Sequence, residues 1–335
     1  MTQEERQARN RELAGTYVPR LMQMNPEEEL GDLSLQDLLT VIGNAEWCRD
    51  NAFEMKEEEA AAYTAKIDEV KAYTAKRLLA ADRIWVIYDQ VTDMPYFDEE
   101  AMIYAFSEEE YAVGALDYFA QRYRNWRVEV ISRENIYNFL GRTFYMDGAL
   151  GVLLDNGQNY IRFAADSLVE APDWTGVAEI SIPLHNPDYM RALILFQQER
   201  GWRADYESKG EKLAAMETEM IRTFAQARFL IPVKGMDQAV KTGENQATIQ
   251  KDTEIQIPTL TADNGRRGLP VFTDWTQFEK VYSKNEWGGW IWEANSLSHV
   301  DAEDVIINLN TVSFVASREM VAQMLDIYEK ELKQQ

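Results

Sequence analysis

Cysteine is nearly missing from this chain. Cys48 is the only one in 335 residues, which excludes an internal disulfide and any zinc site built on several thiolates. Histidine is almost as scarce, and His185 and His299 stand in different segments. No apolar run approaches the roughly 20 residues needed to cross a bilayer. The start, Met1-Thr-Gln-Glu-Glu-Arg6, has neither the basic region nor the apolar stretch of a secretory signal. A cytoplasmic protein without a membrane anchor is expected. Basic residues are few as well: 34 Lys and Arg against 57 Asp and Glu leave a net charge of −23. A field of that sign repels phosphate backbones, so ordinary nucleic-acid binding is disfavoured. It suits a basic partner, or a surface that imitates nucleic acid. The common catalytic signatures are also missing: no Gly-x-Ser-x-Gly elbow, Walker loop, Gly-x-Gly-x-x-Gly turn or His-Glu-x-x-His helix occurs.

What the chain does have is apolar and aromatic bulk. Hydrophobic residues make up 46%, including 9 Trp, 16 Tyr and 13 Phe, which excludes disorder and suffices for two domains with their own cores. Residues 1–82 read as a helical extension, with Ser34 as N-cap of an apolar stripe through Leu38, Leu39, Val41 and Ile42. An Ala-, Glu- and Lys-rich helix follows, from Asn51 to Ala81. A pattern then occurs twice. Residues 83–170 hold the buried strand Ile84–Tyr88, a second strand ending at Phe106 and a capping box at Ser107-Glu-Glu-Glu110. A closing hairpin across Asp155-Asn-Gly-Gln158 completes them. Residues 228–335 repeat the order: Arg228–Val233, then Leu269–Asp274 opening a helix capped by Thr273, then a hairpin across Asn308–Thr311. Between them, 171–227 reads as a mostly helical spacer, with Ile180–Ile182 as a short strand and Pro187 at a helix start. The stretch 234–253 has the composition of a disordered loop.

Gly268-Leu-Pro-Val-Phe-Thr-Asp274, followed by a short helix and Val305-Ile-Ile-Asn308, resembles the N-terminal domain of SseB, the enhanced serine sensitivity protein. Ile103-Tyr-Ala-Phe-Ser-Glu108 with Gly151–Asp155 resembles a more divergent copy, and Asn186-Pro187 with Ala192–Leu195 resembles a further segment of that family. The resemblance covers roughly the last two thirds of the chain and implies tandem α+β domains with mixed sheets. It brings no agreed catalytic residues.

No set of acids, bases or nucleophiles is placed by spacing, and neither a catalytic residue, a cofactor nor a metal is expected. Asp301, Glu303 and Asp304 could gather a cation, but they lack the glycine and terminal glutamate of a calcium loop. Tyr123, Arg124 and Trp126 read as packing that closes the first unit. Trp287, Trp290 and Trp292 are the candidate partner-binding residues: Trp290 and Trp292 share one face of a strand, and Gly288-Gly289 allow close approach to its backbone. Core packing against the helix after Thr273 is the competing explanation. The leading functional expectation is a non-enzymatic interaction or regulatory protein. The alternatives are an acidic inhibitor or immunity protein for a basic toxin or nuclease, and a small-ligand sensor or enzyme using a cleft between the units.

Overall fold

An apolar run such as Ile84–Tyr88 is satisfied only inside a sheet covered on both faces, and that is where it lies. The computed structural model describes residues 3–51, 56–178, 182–235, 240–243, 246–248 and 255–333. The protein is α+β, with mixed sheets and an N-terminal helical region. That region comprises α1 (Gln3–Tyr17), a 3-10 turn at Val18–Gln23, α2 (Pro26–Glu29), α3 (Leu35–Asn51) and α4 (Glu57–Leu79). Ser34 caps α3 as expected, its Oγ accepting from Asp37 N at 3.1 Å.

A six-stranded sheet follows. At its centre, β1 (Arg83–Asp89) pairs antiparallel with β2 (Met94–Pro95) and β3 (Met102–Phe106) on one edge and with β4 (Trp126–Ser132) on the other. β3 runs parallel to β5 (Gly151–Leu154), which turns back into β6 (Ile161–Ala164). The helices are α5 (Glu109–Ala120), α6 (Arg133–Tyr145) and α7 (Ala165–Leu168). Beyond them come α8 (Pro187–Gly201), α9 (Lys209–Gln226), β7 (Arg228–Val233), β8 (Val240–Gly243) and β9 (Gln246–Thr248). The chain continues through β10 (Leu260–Thr261), β11 (Arg267–Val271), α10 (Trp275–Glu279), β12 (Gly288–Glu293), β13 (Asp304–Ile307), β14 (Phe314–Ser317) and α11 (Arg318–Leu332). Of the loop-like stretch 234–253, β8 and β9 pair with each other, and most of the remainder lies outside the described residues. So does most of the strand expected at 180–182.

The two halves pair their strands alike. β7 is antiparallel to β12 as β1 is to β4, and β11 is parallel to β13 as β3 is to β5. Single bonds correspond too: Arg133 N donates to Asp82 O, and Ala294 N to Ala227 O. Likewise Leu150 N donates to Ala101 O, and Glu303 N to Arg267 O. One difference stands out. β7 meets β11 through the single bridge Leu230–Phe272, because the next residue facing that edge is Pro232, which has no N–H to offer. The β7–β12 ribbon is therefore set apart from the sheet β10-β11-β13-β14.

Two expected caps are corrected by the loops after β3 and β11. Ser107 does not cap α5. Its N–H and hydroxyl both donate to Asp155, at 2.7 Å each. Thr273 does not cap α10 either; Asp274 does, accepting from Thr276 N and Gln277 N. Thr273 N instead donates to Asn308 Oδ1 at 3.1 Å. Asp155 and Asn308 are fully buried and both have left-handed φ, +58° and +49°, a conformation that Asp and Asn tolerate. In each half, then, a short polar side chain ties the end of one parallel strand to the start of the helix after its neighbour.

Burial pushes the Asp155 carboxyl up to about 6, against the opposing pull of the Ser107 bonds. Its folded value lies above the unfolded one of about 3.9, so ionising it costs native stability as pH rises from about 4 to about 6. Asp155→Asn should keep the fold, as asparagine does at 308, and flatten that part of the pH dependence of the melting temperature. Asp155→Ala should lose about 2 kcal/mol, since Ser107 N–H is left without its acceptor.

Within the stretch expected to be a spacer, α8 is part of the core. α8 buries Tyr189, Met190, Leu193, Ile194 and Phe196 on more than one face, which a solvent-exposed spacer could not afford. One cluster of buried side chains runs from Leu13 through α8 to Met324. Under α5, a smaller cluster holds Ile87, Tyr96, Phe106 and Trp126. Arg124 stacks on Trp202 at 3.8 Å, while Tyr123 stays exposed.

Candidate interaction surface

β12 is built from Gly288-Gly-Trp-Ile-Trp-Glu293, and among the described residues it pairs with β7 alone. Ala294 N donates to Ala227 O. By the alternation of an antiparallel ladder, Trp290 and Trp292 direct their backbone groups to β7, and Gly289, Ile291 and Glu293 direct theirs outward. The same alternation leaves Leu230 free to bond Phe272 on the far edge of β7, which it does in both directions.

The three tryptophans do not form one patch. Trp290 and Trp292 share a face, as strand geometry requires, with ring centroids 5.5 Å apart in an edge-to-face contact. Trp292 rests partly on the main core, whereas Trp290 is 37% and its neighbour Ile291 44% exposed. Trp290, Trp292, Asn295, Ser296 and His299 line a shallow hollow of about 390 Å³. Trp287 lies elsewhere, 5.0 Å from Tyr282 and with Lys234 Nζ 4.6 Å over its ring. It belongs to the packing around Phe272 and Phe278. What approaches the backbone at Gly289 is the chain's own Trp275: a Cβ there would sit 2.5 Å from that ring.

Residues 208–323 match the family model for the SseB protein N-terminal domain. The matched SseB region takes in β7, the four-stranded sheet and all three tryptophans. It includes the two stretches, 268–274 and 305–308, that carry the resemblance in the sequence. It is about a third of the chain, and residues 83–170 lie outside it. No curated protein and no solved structure matches the chain.

Polar groups near the SseB region are held by local partners. His299 Nδ1 lies 2.8 Å from Ser298 Oγ, and His185 Nδ1 2.8 Å from Pro183 O. The acidic loop considered for a cation pairs with arginines instead. Asp304 binds Arg266 through two bonds, and Glu303 accepts from Arg267 N at 2.7 Å. Those bonds hold both carboxyls below the usual range. Ile291 and Glu293 are the surface residues that sequence reasoning passed over. An edge position is a property of pairing, and the only local signal for it was an apolar strand beginning with two glycines.

Proposed function

We propose that this chain is a non-enzymatic binding protein made of two copies of an SseB-like module, and that it takes up an extended, basic segment of a protein partner along the free edge of β12. The carrying observation is that edge: outward backbone groups at Gly289, Ile291 and Glu293 beside exposed Trp290 and Ile291. An unpaired strand edge with exposed apolar side chains is a template for strand addition, in which main-chain bonds give affinity and alternate side chains give specificity. Exposed Glu293 and the net charge of −23 favour a basic occupant. The corresponding registers of the two halves support the two-copy reading, with residues 1–82 as a helical extension. A second reading, an acidic inhibitor of a basic toxin or nuclease, rests on that charge alone.

The test is a partner recovered by affinity capture, purified, and titrated against variants. Ile291→Pro removes an outward donor and leaves the β7-facing bonds in place; Trp290→Ala removes the exposed ring. Each should weaken binding by about tenfold or more with melting kept within a few degrees. Variants that unfold the protein and show no separable binding defect would sink the proposal. For the inhibitor reading, an association rate indifferent to salt counts against it.

A further inference from the structure

A second surface, independent of β12, lies where the N-terminal helical region meets the first sheet. A cavity of about 840 Å³ runs along α5 beside the turn between β5 and β6. Two acid–tyrosine pairs stand along it, Glu110-Tyr111 and Asp117-Tyr118. Seven residues separate them, two helical turns or about 10 Å along one face. Gly114 lies between them, and a Cβ there would meet nothing within 4 Å. Tyr118 is 52% exposed.

The first pair is already engaged by the chain itself. Arg6 of α1 donates to Glu110 Oε1 at 3.2 Å and to Gln158 Oε1 at 3.0 Å, with its guanidinium 5.7 Å from the Tyr111 ring centroid. At the second pair, Arg122 from the end of α5 stacks on Tyr118 at 3.6 Å. Asp117 has no ion-pair partner among the described residues. Carboxylate plus aromatic face is the combination that recognises a guanidinium. In the second half the corresponding helix and turn are bridged directly, Thr311 Oγ1 donating to Gln277 Oε1 at 2.8 Å.

We propose that this groove binds a basic helical segment of a protein partner, two of whose arginines, seven residues apart, meet Glu110-Tyr111 and Asp117-Tyr118, with Arg6 competing for the first position and Arg122 for the Tyr118 ring of the second. Gly114 allows the partner helix to come close, and the acidic surface draws it in. Arg6 thereby makes α1 an internal competitor, raising the threshold for binding.

The probe is a short fluorescein-labelled, alanine-based helical peptide with arginines seven apart and a leucine between them. It is titrated by anisotropy into the full chain at about 0.1 M salt. Arg6→Gln should tighten binding about fivefold, and Asp117→Asn should loosen it about fivefold. Gly114→Gln enters open space and favours the helix, so it should leave melting intact while abolishing binding by filling the groove. Asp301→Asn, a distant exposed acid, should change nothing. The proposal is overturned if Arg6→Gln leaves affinity unchanged, if Gly114→Gln still binds, or if Asp301→Asn weakens binding as much as Asp117→Asn. It is equally overturned if a peptide with its arginines five apart, on opposite faces, binds as well.

Discussion

Gly148→Ala should destabilise the protein by about 3 kcal/mol or more, a single methyl with the effect of a large core deletion. Two causes add. Gly148 has φ +86°, where a side chain is strained. Its Cβ would also fall inside the carbonyl oxygen of Pro187, with Arg191 Cβ at 2.9 Å. The obstacle is backbone at the start of α8, which cannot rotate away as a flexible side chain can. The approach is also fastened, since Arg191 Nη1 donates to Gly148 O at 3.1 Å. Gly157 provides the control: its φ is +94° and nothing lies within 4 Å of its Cβ, so Gly157→Ala should cost only the strain of left-handed φ, about 1 kcal/mol. Urea denaturation of both variants separates strain from collision. Equal losses would show that α8 can back away from the first sheet.

The second large effect is a pH dependence carried by Asp147. This carboxyl is buried next to Gly148, 2% exposed. Its Oδ1 lies 3.7 Å from Arg142, too far to accept a hydrogen bond, and it has no other bonding partner among the described residues. Burial pushes it up to about 7, with Asp274 adding to the rise and Arg142 and Lys280 opposing it. An unfolded Asp titrates near 3.9, so the native state holds the proton more tightly. The sign follows: there is no penalty below about pH 4, a growing one as pH rises to about 7, and the full cost above that. Asp147→Asn should match wild type near pH 4 and be more stable at pH 8, by on the order of 4 kcal/mol. Stability curves that stay parallel across that range would refute the assignment. Placed where a loop of the first half faces Asp274 and Lys280 of the second, the group ties the fit of the two halves to acidity.

These effects were not visible in the sequence, and the reasons are physical. Strands, hairpins and their order were legible because alternation, turn residues and apolar runs are local signals. Ser317 illustrates this, its Oγ accepting from Met320 N at 3.1 Å at the start of α11. Ser107 and Thr273 have the same local look, but their hydrogen bonds go to Asp155 and Asn308, dozens of residues downstream, and a tertiary partner outbid the cap. The burial of α8 rests on distant partners too: Gln198 accepts from Phe97 N at 3.0 Å, and Glu199 from Tyr206 Oη at 2.6 Å. At the candidate surface, the shared face of Trp290 and Trp292 followed from strand period alone. The separation of Trp287, the ring beneath Gly289 and the edge of β12 left unpaired among the described residues all depend on which strands become neighbours.

The continuous interior from Leu13 to Met324 has a consequence for how the chain is made. Side chains contributed by α11 help to close a core that also needs α1, so the final packing must wait until α11 has left the ribosome. A nascent chain halted after α8 would carry that helix with its greasy faces uncovered, a substrate for chaperones and proteases rather than half of a finished protein.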